Sequence, residues 1–133
     1  MIYTKSRGGA NTNGLAPTYW GKDVYNSKRE FSIGAREMFQ PKDYLRFLFE
    51  LHYSQRQDGE NDWARMTKFS SVPVIVPTGE RSFWARPEIR FVTSVSFYNK
   101  FAQENLYSPY LQSVGKKKVG YYFGLKAEWW LWN

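Results

Sequence analysis

Few side chains in this 133-residue sequence could do chemistry, and their types limit what chemistry that is. His52 is the single histidine and cysteine is absent, so no histidine-rich metal site, Cys–His nucleophile pair or disulfide framework can be built. Carboxylates remain. Glu50, Glu88 and Glu128 are the residues from which a glycoside-cleaving pair would be drawn, one acid protonating the leaving oxygen while its partner acts as base or nucleophile. No spacing rule singles out two of them. Glu50 and His52 share one face of a strand two residues apart, which a polar wall explains without catalysis. Neither an enzyme nor a cofactor is expected.

The formal net charge is +7 and 20% of the residues are aromatic, a combination that could serve a polyanion. The alternative reading is therefore a soluble all-β module binding single-stranded nucleic acid by stacking and phosphate contacts. The only dense basic run, Lys116-Lys117-Lys118, falls in a loop-like stretch, where solvated charge is the simpler account. No nucleic-acid partner is expected.

The elements that must position these residues are strands. Ser82–Tyr98 (SFWARPEIRFVTSVSFY) alternates an apolar odd set, Phe83 to Phe97, with an even set that holds every charge: Arg86, Glu88 and Arg90. A period of two means one greasy face and one polar face. Lys28–Met38, Tyr44–Tyr53, Met66–Val76 and Val119–Trp132 repeat the pattern, with Pro73 marking a bulge or an irregular edge. Phe39–Asp43 and Pro77–Glu80 read as tight turns. Ser54–Asp62 and Asn99–Lys118 read as long loops, and residues 1–27 as an irregular surface segment without an apolar leader. Residues 28–133 then hold about five up-and-down strands joined short, long, short, long, the rhythm of outer-membrane barrels.

Aromatics collect at both ends of these strands. Tyr53, Phe97, Tyr98, Tyr121 and Tyr122 mark one end; Phe39, Tyr44, Phe83, Trp84, Trp129 and Trp130 mark the other. Two such girdles suit headgroup anchoring. The charges Arg36, Arg46, Glu50, Lys68, Arg86, Glu88, Arg90, Lys126 and Glu128 all oppose the apolar set of their own strand. A soluble sheet and a membrane wall give the same segregation, with opposite faces turned to the solvent.

The block SFWARPEIRFVTS at Ser82–Ser94 resembles the aromatic-x-R-P-x-[IL]-R signature of the maltoporin family, the sugar-specific porins of Gram-negative outer membranes. FGLKAEWW at Phe123–Trp130 is similar to that family's closing strand. Ile33-Gly34-Ala35-Arg36, Phe49-Glu50-Leu51-x-Tyr53 and Lys68-Phe69-Ser70 match in the same order, so the resemblance runs from Lys28 to Trp130. It covers the last quarter or so of a family member. The final Leu131-Trp132-Asn133 and the short Asn99–Lys118 loop differ from the family's pattern.

The resemblance implies the C-terminal part of a large all-β transmembrane barrel. The complete protein would be a homotrimer in the outer membrane, passing maltodextrins or related oligosaccharides. It implies that Trp84 and Trp130 belong to a line of aromatics on which sugar rings slide. By shared face, Arg86, Glu88, Arg90, Arg36 and Glu128 would form a polar track beside it. The competing assignments are girdle residues for the two tryptophans and a self-neutralising wall pair for Arg86 and Glu88. Five strands cannot close a channel that takes about 16–18, so a fragment of a longer gene is expected.

Overall fold

The computed structural model describes residues 1–6, 15–19, 22–25, 27–82 and 84–129. Along the chain lie β1 (Ile2–Ser6), β2 (Leu15–Tyr19), β3 (Lys22–Tyr25), β4 (Lys28–Lys42), β5 (Leu45–Asp58), β6 (Ala64–Ile75), β7 (Glu88–Tyr98), α1 (Lys100–Glu104), α2 (Pro109–Val114) and β8 (Val119–Glu128). Six strands make one all-antiparallel sheet in the order β1-β4-β5-β6-β7-β8, and β2 and β3 pair separately. The large sheet is open, with β1 and β8 at its edges. No helix among the described residues is long and apolar enough to cross a membrane, which says nothing of strands.

Several sequence expectations change. The opening residues are strand where described: Ile2 pairs with Ser32 and Ser6 with Lys28, giving the start of β4 a ladder partner. β5 continues through Ser54-Gln55-Arg56-Gln57-Asp58, which reads as loop because both of its faces are polar there. Pro73 lies inside β6, between β5 and β7, and not at an edge. The loop rhythm shifts accordingly. The connection expected to be long shrinks to Gly59–Trp63, and the one expected to be short runs from Val76 to Pro87.

The largest correction concerns the stretch before β7. Ser82 and Trp84–Pro87 are not strand. The Ser82 hydroxyl accepts from the Trp84 amide at 3.1 Å, and its carbonyl accepts from the Ala85 amide at 3.1 Å. These local bonds replace ladder bonds. Pro87, joined to Arg86 by a cis peptide bond, has no N–H to offer a neighbour. Period-two reasoning therefore holds only from Glu88 onward. Ala85, expected on the apolar odd face, is instead buried with the even residues Leu48, Val72, Val74 and Val76. Phe83 lies outside the described residues.

The chain forms two compact units, and each long strand contributes to both. In one, built on Ala35–Leu51, Lys68–Ser96 and β8 from Gly120, the polar face is the covered face. Arg46 and Glu88 are 2% exposed there, whereas their apolar neighbours point out: Leu51 is 54% exposed and Leu125 71%. Phe49, Phe69, Ile75, Phe91 and Phe123 are exposed as well. A water-soluble sheet would turn this face inward, because contiguous apolar surface of this extent is rarely left bare in a soluble monomer.

What covers the inner face of this unit is the Val76–Pro87 connection. Arg46 fastens it, donating through Nη2 to the carbonyls of Glu80 at 2.8 Å and Ser82 at 2.6 Å. Gly79 makes the preceding turn, with φ of 69° and its amide on the Val76 carbonyl. In the other unit, α1 and α2 occupy what reads as a plain loop. Asn99 caps α1 by accepting from the Ala102 amide at 3.0 Å, and it also donates to the Trp63 carbonyl at 2.8 Å. Ser108 caps α2, with Pro109 at its first turn. Ala102 and Leu111 pack on Ala64 and Tyr98, even positions of β6 and β7.

Two outcomes follow from this architecture. Arg46→Ala removes two charge-assisted bonds and should cost about 3 kcal/mol. Trypsin should then cut at Arg81 in the detergent-folded chain well before it does in the wild type; an unchanged digestion pattern would show that Arg46 does not hold the connection. Phe91→Arg should destabilise the chain in lipid by about 2–4 kcal/mol, read by urea titration in vesicles. If that substitution instead leaves a soluble fold in plain buffer, the odd face meets water.

Candidate functional site

The covered face carries one dense polar constellation, positioned by the start of β7, the turn before it and the end of β8. The Glu88 carboxylate, 2% exposed, lies between two guanidiniums. Arg86 reaches Glu88 Oε2 through Nη1 at 3.4 Å and Glu128 Oε2 through Nη2 at 2.7 Å. Arg90 pairs with Glu88 Oε1 through both Nε and Nη2, and lies 3.6 Å from Glu128 Oε2. Lys126 closes the set on Glu128 Oε1. Arg86 also donates to the Ala85 carbonyl at 2.8 Å, which ties the cluster to the turn.

Local sequence explains the geometry. Glu88 and Arg90 are alternate residues of β7, so their side chains leave the same face and can form a two-pronged contact along the strand. Lys126 and Glu128 repeat that relation on the neighbouring β8. Arg86 sits outside the ladder, where the turn lets its guanidinium reach across to β8. Each carboxylate thus meets at least two cations, which is what a nearly dry carboxylate requires.

The residues singled out from the sequence fall into three places. Arg86, Glu88, Arg90 and Glu128 come together. Arg36 does not join them; it pairs with Glu50 at 2.5 Å, from β4 to β5, with its side chain 58% exposed. Trp84 sits in the turn two residues before Arg86 and is 67% exposed. Its place on the polar face cannot be argued by strand parity, because it is not in a strand. Trp130 lies outside the described residues. Lys126 was legible as a member, since it shares the even parity of Glu128. Arg46 was visible as a charge on this face, but nothing in the sequence marks it as the clamp on a distant connection.

The carboxylates are saturated by cations, and among the described residues no group of three His, Cys, Asp or Glu could hold a metal ion. The cluster is a set of fixed donors and acceptors, and Trp84, exposed, lies two residues before Arg86 along the chain.

An antiparallel sheet with its greasy face bare and charges such as Arg46 and Glu88 covered is consistent with part of the wall of an outer-membrane-type barrel. The family model for the LamB porin matches residues 9–131, and the chain belongs to that family. Its members are channels, not enzymes, and their setting is the outer membrane. Neither the comparison with curated proteins nor that with solved structures gives a match.

Burial predicts unequal costs of breaking the ion pairs. Glu88→Gln leaves two guanidiniums facing each other in a covered site and should cost about 3–5 kcal/mol. Arg36→Gln, at an exposed pair, should cost less than about 1 kcal/mol. Urea unfolding of the two variants in detergent checks the ordering; equal effects would mean that the covered network carries no special weight.

Proposed function

We propose that this chain builds part of the wall of an outer-membrane channel that passes maltodextrins or related oligosaccharides by facilitated diffusion. The observation that carries the reading is the inside-out sheet, whose covered face holds a compensated charge cluster. A sugar ring has an apolar face and a polar rim. Trp84, with Trp130 as its proposed neighbour along the path, offers the ring face a flat surface. Arg90 and Glu128, each with its side chain 24% exposed, offer the hydroxyls a donor and an acceptor held in place by the largely covered Arg86 and the buried Glu88, with Arg36 as a further polar contact.

Release matters as much as binding. Transport needs each contact favourable enough to enter and weak enough to leave. Guanidiniums already engaged with carboxylates exchange hydrogen bonds with passing hydroxyls at little net gain, so no single ring is trapped. Six strands do not enclose a sugar-sized lumen, which takes about 16–18. Open edges are not stable in lipid, so strands beyond β1 and β8 complete the wall. The complete protein is expected to be a homotrimer of such barrels.

Tryptophan fluorescence of the detergent-folded chain titrated with maltotriose tests the reading. Binding should be seen with the wild type, weaken roughly tenfold in Trp84→Ala and persist in Trp84→Phe. A folded chain whose response is the same in Trp84→Ala, or one that is a soluble β-protein without detergent, would sink it.

A further inference from the structure

The unit containing α1 and α2 holds a second polar site with no part in the cluster around Glu88. It is a cleft of about 460 Å³ lined by Arg56 and Asp58 of β5, Asn61 of the following turn, Phe101, Tyr107 and Gln112, among others. That volume is within the usual size of a small-molecule site.

Its walls are preorganised. The Arg56 guanidinium lies over the Tyr107 ring, 5.1 Å from its centroid, and its Nη2 pairs with Asp58 Oδ2 at 3.1 Å. Held on two sides, Arg56 loses little freedom when a ligand arrives. Arg56 Nε and Asp58 Oδ1 are turned away from solvent, so a ligand would meet the remaining polar atoms of the pair. The Asn61 backbone is engaged: its carbonyl accepts from Gln57 at 2.9 Å and its amide donates to Asp58. That fixes the backbone beneath an amide side chain on the cleft wall.

The charges select the ligand. An anion drawn to Arg56 would meet Asp58 and Glu104, which also lines the cleft; a cation would meet Arg56. A neutral molecule with adjacent hydroxyls suits both. Aromatic side chains at Phe101 and Tyr107, with guanidinium, carboxylate and amide groups around them, suit the apolar face and polar rim of a sugar ring. We infer that the cleft between β5 and the α1–α2 segment is a sugar-ring subsite separate from the Trp84 path. It receives one ring of the same class of oligosaccharide, and to that extent it rests on the channel reading above.

The chain has no cysteine, so single labels can be placed cleanly. A dye on Gln112→Cys reports the cleft, and a dye on Lys126→Cys reports the cluster around Glu88. Maltotriose added to the detergent-folded chain should move the Gln112 label. Arg56→Gln, and separately the gentler Asn61→Ala, should weaken that response roughly tenfold with far-ultraviolet circular dichroism unchanged. A response at the Lys126 label alone overturns the cleft and leaves the channel reading standing. Silence at both labels overturns both. A Gln112 response undiminished in both variants also overturns the cleft.

Discussion

A carboxylate that is 2% exposed cannot stand alone, and much of the first unit is arranged around that constraint at Glu88. Removing its partners would leave an uncompensated buried charge, one of the more costly single defects a fold can carry. Arg90 comes free with strand alternation, but Arg86 does not. It arrives because Trp84–Pro87 lie outside the ladder, with Ala85 packed on the inner-face cluster. That turn is in turn fastened by Arg46 through two backbone carbonyls. Leu48, Val72, Val74, Val76 and Ala85 form a small apolar patch under the same connection, so packing and ion pairing reinforce one placement.

The two faces of the sheet answer different solvents. On the outer face, alternation leaves Phe, Leu and Ile side chains bare, and hydrocarbon accepts them at no cost. On the inner face, charges are paired off because a partly covered polar face is neither bulk water nor a dry core. Charge placement in the sequence could not choose between this arrangement and its inverse, because both obey the same period; strand length, aromatic girdles and loop rhythm favoured it. The structure agrees, with Arg46 and Glu88 covered and Leu51 and Leu125 bare.

What the sequence disclosed follows from the same physics. Clean alternation in Leu45–Tyr53 and Glu88–Tyr98 located β5 and β7, and the family signature pointed to a LamB porin wall. Where both faces are polar, as in Ser54–Asp58, alternation has nothing to display and the strand was hidden. At Ser82–Pro87 the opposite error arose: apolar and polar residues alternate by chance across a turn made by Ser82. The α1 and α2 turns were marked by Asn99, Ser108 and Pro109, but helices this short carry too little apolar periodicity to register. Tertiary roles such as the Arg46 clamp leave no local trace at all.

A channel wall must be rigid and yet hold nothing for long, and these demands conflict if strong binding groups are left unengaged. Here the strongest groups spend most of their affinity on one another. Glu88 and Glu128 are each shared among cations, so the network is stiff because its members compete for the same oxygens. A hydroxyl passing along such a wall can only substitute for a bond already made. The exchange is close to neutral in free energy, and a run of near-neutral exchanges is a path with low barriers and no deep wells. In the proposed channel the stability of the wall and the weakness of its grip are therefore one property of the same ion pairs.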